Sequence, residues 1–384
     1  MEGTPDSSVP SVRTEVDAKL ALVREWLDRS GLAAVALTRP GPVAWLSGGL
    51  TNPIDRSAPE SLLWLVVTPD RVVAVTTAVE RPRLEAEAGL DDVGFSLQDV
   101  PWFDGSAFVQ AAEEIVGAER TQLASDGHPE FGIDADSDLT ALRLRLDRAE
   151  RERLADLGRD AARALEHAVS AWRPGERDLD VQARVAEQLE RAGALPVCLI
   201  VGGDERVQQF RHPLAAGAPV HRLLMAVVVA TRGGLHVAAT RFARSAGVPD
   251  LAQAAFEKAL EVEAAMLAAS RPGRTYGDVM RACDDAYAKA GHPGAWHEHY
   301  QGGPIGYRQR EFEIAPAQHE SRWFSQPIEA GHAVAWNPSV TGGGKAEDTF
   351  LVEDDGLRCV TETGGWPQVE VRAGLRTGIL EIAR

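Results

Sequence analysis

The chain has 384 residues, of which 44% are hydrophobic and 25% are charged. A single hydrophobic core rarely organises a chain of this length, so we expect an ordinary globular protein of two domains. A formal net charge of −17 argues against nucleic acid, whose phosphates need clustered Lys and Arg, and against anionic membrane surfaces. The expected partners are small molecules or short peptides.

The three cysteines, Cys198, Cys283 and Cys359, lie far apart and form no spacing typical of a zinc site or a disulfide framework. The simplest expectation is that the protein resides in the reducing cytoplasm. Residues 1–12 are polar and lack the apolar core of a signal peptide, so we expect a disordered start. No apolar run approaches the roughly 18 residues that a membrane span needs.

Helices and strands are predicted to alternate along the first part of the chain. Helices are expected at 13–30, 80–88 and 105–116, and strands at 33–37, 43–46, 62–67 and 72–76. This alternation predicts an α/β domain with a mixed sheet. Its end is placed in the charged stretch 144–153, which gives an amino-terminal domain at 13–147 and a second domain at 148–384.

The second domain contains a repeat. Arg173-Pro174-Gly175 recurs as Arg271-Pro272-Gly273, each between two helical segments, and the following helices end in Ala192-Gly193 and Ala290-Gly291. Pro and Gly suit the turn between helices, and the last glycine suits a left-handed cap. Two copies are too long for a solenoid, so we expect two similar halves packed face to face with a binding cleft between them.

A hairpin is predicted within the first copy. Residues 223–242 read LLMAVVVATRGGLHVAATRF, with apolar runs on either side of Arg232-Gly233-Gly234 and a second run that ends in Thr240-Arg241. Thr240-Arg241 is interpreted as structural, with a substrate clamp as the alternative.

The hairpin, the repeat and the domain order together resemble the creatinase/aminopeptidase P superfamily, peptidase family M24, whose catalytic domain has the pita-bread fold. The segment 44–49 resembles a tryptophan-containing strand of that family's amino-terminal domain. The resemblance implies an α/β (α+β) protein, with a creatinase-like amino-terminal domain and a pita-bread domain with a pseudo-twofold repeat. It also implies a homodimer.

The superfamily usually binds two metal ions through five side chains. The matching places here hold Val227, Ala238, Gly303, Asn337 and Glu347. A single carboxylate cannot replace the hydration shells of two ions, so no metal and no other cofactor is expected.

The resemblance also assigns a site. His212, in Arg211-His212-Pro213, matches the histidine that shuttles a proton, although a surface-loop histidine is the alternative. Glu347 and Glu311 are the other catalytic candidates, with a structural ion pair as the alternative for Glu347. The predicted substrate-binding residues are Arg211, Gly303, Tyr307, Arg310 and Asn337. Arg310 is either a carboxylate anchor or a partner of Glu311 or Glu313.

Two further motifs remain. His297 and His299 alternate as on a strand and would face one side together, as a metal pair or as a polar strand edge. Gly342-Gly343-Gly344-Lys345 resembles a phosphate loop but lacks the Ser or Thr that follows the lysine and the early glycine.

These observations predict a metal-independent hydrolase that cleaves a C–N bond in a small amino-acid-like, guanidino or peptide substrate, with His212 as acid and base. The alternatives are a non-catalytic binding protein and an atypical metallo-aminopeptidase.

Overall fold

The structure, a computed structural model, describes residues 11–51, 54–118, 120–247, 252–371 and 374–383. It divides into two units: the described residues up to Ala149 together with Gly233–Leu235, and Glu150–Arg232 together with the described residues from His236 onward. The division falls inside the charged stretch 144–153. Over the described ranges, no helix combines the length and apolarity needed to cross a bilayer.

The first unit is a mixed sheet with helices. Its helices are α1 (Val12–Ser30), α2 (Pro40–Leu46), α3 (Arg81–Glu87), α4 (Ala107–Val116) and α5 (Asp136–Arg143). Its strands are β1 (Ala34–Leu37), β2 (Leu63–Val67), β3 (Val72–Thr77), β4 (Ser96–Val100), β5 (Leu123–Ser125) and β6 (Ile133–Asp134). The order is β4-β3-β2-β1-β5-β6, in which β2 runs antiparallel to both neighbours and the other pairs are parallel. The predicted mixed sheet is confirmed, and the predicted strands at 62–67 and 72–76 pair as neighbours.

Helix α1 follows its local signals closely. The Ser11 side chain accepts the Thr14 N–H at the start, and Gly31 ends the helix in the left-handed region with φ of 66°. The predicted disorder does not hold at Ser11 and Val12, which lie at the start of α1. Residues 1–10 lie outside the described residues.

The predicted strand at 43–46 is wrong, and so is the tryptophan-containing strand at 44–49. This stretch is helix α2, with a proline in its first turn and the Ser47 hydroxyl donating to the Val43 carbonyl at 2.7 Å. Proline is favoured at the start of a helix because its φ is already set and its missing N–H is not needed there. A short buried apolar run does not distinguish strand from helix by period alone.

The second unit carries two four-stranded sheets, one in each copy of the repeat. Its helices are α6 (Arg148–Ser170), α7 (Asp178–Arg191), α8 (Glu205–Gln209), α9 (Gln253–Ala269) and α10 (Tyr276–Lys289). Its strands are β7 (Glu176–Arg177), β8 (Leu195–Gly203), β9 (Pro219–Val220), β10 (Leu223–Arg232), β11 (Leu235–Ser245), β12 (Gly302–Pro304), β13 (Ala333–Trp336), β14 (Ser339–Val340), β15 (Gly344–Lys345), β16 (Asp348–Val352), β17 (Leu357–Cys359), β18 (Gln368–Val371), β19 (Gly374–Thr377) and β20 (Ile379–Ile382). The sheets are ordered β20-β11-β10-β8 and β12-β13-β16-β17.

The repeat is visible in the helices. The pairs α6–α7 and α9–α10 correspond, and both second helices are followed by a left-handed glycine, Gly193 and Gly291, with φ of 69° and 84°. Asp278 completes a capping box with Thr275 at the start of α10. Asp180 lies at the same helix position but pairs with Arg177, so only the second copy is capped in this way.

The two sheets are joined by hydrogen bonds between β11 and the segment around the start of β16. The Ala238 N–H donates to Thr349 Oγ1 at 2.8 Å, and the Thr240 N–H donates to the Glu347 carbonyl at 2.9 Å. The hairpin β10–β11, whose turn residues both have positive φ, is confirmed. The junction fixes Glu347 at the line where the halves meet.

Beneath the junction lies a buried ionic network. Arg241 donates to Asp348 at 2.9 Å, and Arg376 donates to Glu263 at 2.6 Å. A further Arg241 nitrogen donates to the Thr361 carbonyl at 2.5 Å. Arg241 therefore has a structural role, as the sequence indicated, because its buried guanidinium donates hydrogen bonds to these acceptors.

We expect Gly344→Ala to destabilise the second unit. A methyl group at Gly344 would lie 2.0 Å from the Ala255 carbonyl oxygen on α9, so strand or helix backbone must move. Overpacking of this kind costs about 1–3 kcal/mol. Chemical denaturation measures the loss, with Gly356→Ala as the control because a methyl group there meets open space. Equal stability of the two variants would contradict the described contact.

We expect Glu263→Gln to change how stability depends on pH. Burial raises the pKa of Glu263 from 4.5 to about 7, against the pull of Arg376. Between these values the folded chain holds a proton that the unfolded chain has lost, so the free energy of unfolding falls as pH rises. The glutamine variant lacks this term and should gain on the wild type from pH 5 to pH 8.

Urea unfolding at both pH values measures that gain, and each unit of pKa difference corresponds to about 1.4 kcal/mol. Glu261→Gln, at an exposed position on the same helix, serves as the control and should follow the wild type. A constant difference between Glu263→Gln and the wild type would show that Glu263 is already ionised below pH 5.

Candidate active site

A pocket of about 430 Å³ opens in the second unit. Its lining includes Val207, Phe210, Arg211, Glu298, Ser339 and Lys345. The volume is within the range of small-molecule sites. His212 follows Arg211 at the mouth, so the predicted proton-transfer residue lies beside the pocket.

A polar ribbon contributes Ser339 and Lys345 to the pocket lining. Ser339 and Lys345 are directly opposed in the β14–β15 pair, and the pairing of Trp336 with Asp348 makes Asn337 and Glu347 the next opposed residues. Because side chains alternate along extended chain, residues two apart share a face. The chain thus places an amide, a hydroxyl, an ammonium and a carboxylate side by side.

Lys345 is the charge that the sequence did not assign to the site. Its side chain is 3% exposed. Within the described part of the chain it forms no salt bridge, and its Nζ lies 3.5 Å from His299 Nε2. Burial lowers the pKa of Lys345, and the positive charge of Arg310 adds to this effect, while Glu347 opposes it. The pKa of Lys345 is thus lower than that of a surface lysine.

His212 and His299 form a hydrogen-bonded pair. Their Nε2 atoms are 3.0 Å apart. Burial lowers the pKa of His299 to about 2, and Lys345 contributes next. Burial and Lys345 also lower the pKa of His212, against the pull of Glu347. Both rings are therefore neutral at pH 7, and the structure brings His212 within reach of the charges of Lys345 and Glu347.

Arg211 ties the His212 loop to the opposite rim. Its guanidinium pairs with Glu298 and donates to Thr341 Oγ1 at 2.9 Å. The side chain is thus engaged by protein groups, and its predicted role in substrate binding stays a prediction.

Tyr307 and Glu311 brace one loop. The Tyr307 hydroxyl, on a side chain that is 1% exposed, donates to Glu150 at 2.8 Å, and the Tyr307 N–H donates to Glu311 Oε1 at 2.7 Å. These contacts give both residues a structural role. The catalytic assignment of Glu311 and the substrate-binding assignment of Tyr307 are not required by this geometry and stay predictions.

Arg310 has a partly satisfied guanidinium. Its Nε is 3.5 Å from Glu313 Oε1, close enough for an ion pair, yet this buried nitrogen makes no hydrogen bond among the described residues. An ion pair at that distance without alignment is weak, so the Nε hydrogen remains available as a donor. The positive charge of Arg310 also lowers the pKa of His212, so the guanidinium lies near the site.

The expectation that His297 and His299 face one side is wrong. Residues Ala295–Glu298 form a 3₁₀ turn rather than a strand. His297 is exposed and stacks on Trp296 with ring centroids 3.6 Å apart, whereas His299 is buried against His212. The two histidines cannot share a metal ion as a strand pair.

Two acceptors on the polar ribbon have no hydrogen-bond partner within the described ranges, Asn337 Oδ1 and Ser339 Oγ. Buried polar atoms are rarely left unsatisfied, so such atoms beside a pocket indicate a place for a polar ligand. The pairing of His299 with His212 and the place of Ser339 and Lys345 in the pocket lining were not predicted from the sequence, which offered His299 only as part of a metal pair or a polar strand edge. The sequence signal that could have identified Lys345 is its spacing from Glu347, because residues two apart on an extended chain lie on the same face.

The residues present do not fit a two-metal centre. Val227 and Ala238 are apolar and buried, and Gly303 has no side chain. Only Asn337 and Glu347 offer oxygen atoms, with one charge between them, and hard divalent ions need several charged oxygens. Across the residues that the structure describes, no group of three potential ligands includes Glu347.

The sequence profile of metallopeptidase family M24 matches residues 152–354, which is more than half of the chain. No curated protein matches the chain. The match covers both copies of the repeat and every residue of the polar ribbon.

Solved structures with the same fold include several peptidases. Dipeptidase PepE from Mycobacterium ulcerans has a TM-score of 0.76 and 21% identity, over 97% of this chain and 99% of that chain. Xaa-Pro dipeptidase from Bacillus anthracis has a TM-score of 0.72 and 16% identity, over 96% and 100%. The amino-terminal domain of the FACT complex subunit SPT16 from chickpea, Cicer arietinum, has a TM-score of 0.66 and 14% identity, over 91% and 96%. At these identities the likeness shows the shared pita-bread architecture.

We expect the purified protein to hold no pair of tightly bound divalent ions after dialysis, because three of the five ligand places have no donor atom and a fourth, Asn337, carries no charge. Elemental analysis measures the metal content per chain. Addition of Mn²⁺ should leave the Tm unchanged, since only binding to the native state raises it. About two retained ions per chain, with activity lost on chelation, would contradict this expectation.

Proposed function

Because the chain belongs to metallopeptidase family M24, we propose that it is a hydrolase that cleaves a C–N bond without a metal ion. The substrate class is a small amino-acid-like or guanidino compound or a short peptide. The observation that carries the proposal is the position of His212, a neutral histidine that pairs with His299 and feels the charges of Lys345, Glu347 and Arg310, next to a pocket that Arg211 and Lys345 line. The dipeptidase names of two structural neighbours support a peptide substrate.

The polar groups in and beside the pocket suit a ligand that carries both charges. Lys345 and the Arg310 Nε, which makes no hydrogen bond among the described residues, offer donors for a carboxylate. Asn337 Oδ1 and the Glu347 carboxylate, whose Oε2 accepts from Thr240 at 3.2 Å, offer acceptors for an amino group. A zwitterion would satisfy groups of both kinds at once, and the pocket volume admits a molecule of dipeptide size.

The chemistry assigns the proton transfers to His212. As a general base it takes a proton from water while the water oxygen attacks the carbon of the C–N bond. As a general acid it returns that proton to the departing nitrogen, which cannot leave as an anion at neutral pH. The positive charges of Lys345 and Arg310 stabilise the negative charge that develops on the carbon's oxygen or on the ligand's carboxylate.

A non-catalytic binding protein is the second candidate. The observation in its favour is that Arg211 and Tyr307 have partners within the protein, so fewer groups than predicted are free to act on a substrate. The similarity to a domain of the FACT complex subunit SPT16 supports this alternative. The two candidates differ in whether any ligand is turned over.

We also propose a homodimer in the cytoplasm. Large apolar side chains are exposed around the His212–His299 pair, at Phe210, Leu214 and Tyr300, and a second chain would cover them. Light scattering coupled to size exclusion measures the mass, and a monomer across the working concentration range would contradict the dimer.

We expect His212→Asn or His212→Ala to lower turnover by roughly a hundredfold or more, because the protein then lacks the group that transfers the proton. The substrate is first identified by a thermal-shift screen of dipeptides and guanidino acids, since a ligand of the native state raises the Tm. The Tm of the variant itself should change little, because the His212 side chain is exposed. Glu347→Gln should also lower turnover.

The matched control is His221→Asn, an exposed histidine in the same unit. This control should keep the wild-type rate. A His212 variant with an undiminished rate would rule out the mechanism. A ligand that binds without turnover in the wild type, and whose affinity alone changes in the variant, would establish the binding protein instead.

A further inference from the structure

We propose that His299 is a positioning residue that fixes His212 in one tautomer, with hydrogen on Nε2, so that His212 exchanges its catalytic proton through Nδ1. This inference rests on the proposed function of His212 as acid and base. It names the atom that faces the substrate and gives a role to a buried histidine that has none in the superfamily resemblance.

His299 carries a hydrogen on Nδ1. That nitrogen contacts the carbonyl oxygen of Tyr300. A carbonyl oxygen only accepts hydrogen bonds, so Nδ1 must carry the hydrogen and donate it. The His299 backbone is itself held, because its carbonyl accepts from the Gln301 side-chain amide at 2.6 Å.

The second step is the charge of His299. The ring is 9% exposed and faces Lys345, Arg211 and His212, none of which favours a second positive charge. Its pKa of about 2 keeps the ring neutral across the working range. A neutral imidazole has one hydrogen, which is already on Nδ1, so His299 Nε2 is a bare acceptor.

The third step transfers this constraint to His212. Its Nε2 lies 3.0 Å from the His299 acceptor, and two acceptors would repel each other, so His212 Nε2 must be the donor. Neutral His212 then has its lone pair on Nδ1. Among the residues that the structure describes, Nδ1 of His212 meets no hydrogen-bonding group, and the side chain is exposed.

The proton balance follows directly. His212 takes a proton from water onto Nδ1 and becomes an imidazolium, while its Nε2 hydrogen stays on the bond to His299. It then gives the Nδ1 proton to the departing nitrogen and returns to its starting tautomer. Lys345, Glu347 and Arg310 are the charged groups that act on His212 during this cycle. Lys345 Nζ, at 3.5 Å, also faces the His299 lone pair and opposes protonation of that ring.

Long-range ¹H–¹⁵N correlation NMR of protein labelled with ¹⁵N-histidine tests the inference without any substrate. At pH 8 we expect His212 with hydrogen on Nε2, His299 with hydrogen on Nδ1, and a scalar coupling between the two Nε2 nitrogens across their hydrogen bond. Loss of one resonance pair in His212→Asn assigns the signals among the ten histidines. Hydrogen on Nδ1 of His212, or on Nε2 of His299, would overturn the inference.

The variant that breaks the pair is His299→Asn, and His297→Asn is its matched control. We expect the first to abolish the coupling and to leave His212 as a mixture of both tautomers, and the second to leave the spectrum of His212 unchanged. His212 held entirely in the Nε2–H form in His299→Asn would show that His299 does not position it. The wild-type measurement stands even if that variant does not fold.

Once a substrate is known, His299→Asn should lower kcat at least tenfold, leave KM nearly constant and shift the pH profile of kcat. His299→Gln, whose amide oxygen can accept from His212, should recover part of the rate. A KM change alone would contradict positioning. The expected spectrum in a protein that turns over no substrate would leave the tautomer assignment standing and would count against the proposed hydrolase only.

Discussion

The fold of the second unit depends on the hydrogen-bonded junction between β11 and the segment that leads into β16. Glu347 and Asp348 are neighbours there, and their side chains point to opposite faces because the chain is extended. Glu347 lies on the same face of the chain as Lys345, which lines the pocket, and Asp348 enters the buried network with Arg241. The Glu347 backbone is therefore held next to a network that has no part in the proposed chemistry, and a change beneath the junction would reach Glu347 through one peptide bond.

The same junction explains how the fold persists while the ligand set of the family is lost. Val227 and Ala238 pack as buried apolar residues on strands whose pairing does not depend on an ion. Lys345 and Arg310 nonetheless place positive charge near His212. The fold around the site and the charge of the site thus depend on different groups, because backbone pairing maintains the fold and a few side chains supply the charge.

Short sequence signals correctly predicted the helix ends and the hairpin turn, whose geometry depends on residues close together in the chain. Gly193 and Gly291 marked helix ends because only a left-handed residue completes the cap, and the turn at Gly233 marked the hairpin. Trp45 was misplaced on a strand because a short buried run has no diagnostic period. The pairing of His299 with His212 was missed because it depends on a 3₁₀ turn that ends the apparent alternation at His297 and on packing between residues far apart in the chain.

The close approach of Gly344 to α9 bears on how quickly a ligand can enter. The ribbon that carries Ser339 and Lys345 lies against helix backbone and cannot swing outward by itself, so the pocket wall is already formed before binding. Association is then limited by diffusion and by the electric field rather than by an opening step. The net negative charge of the chain repels an anionic ligand at long range, whereas the cationic side chains of the pocket attract it at short range. Added salt screens the long-range repulsion more strongly than the short-range attraction, so the association rate of an anionic ligand would rise with salt.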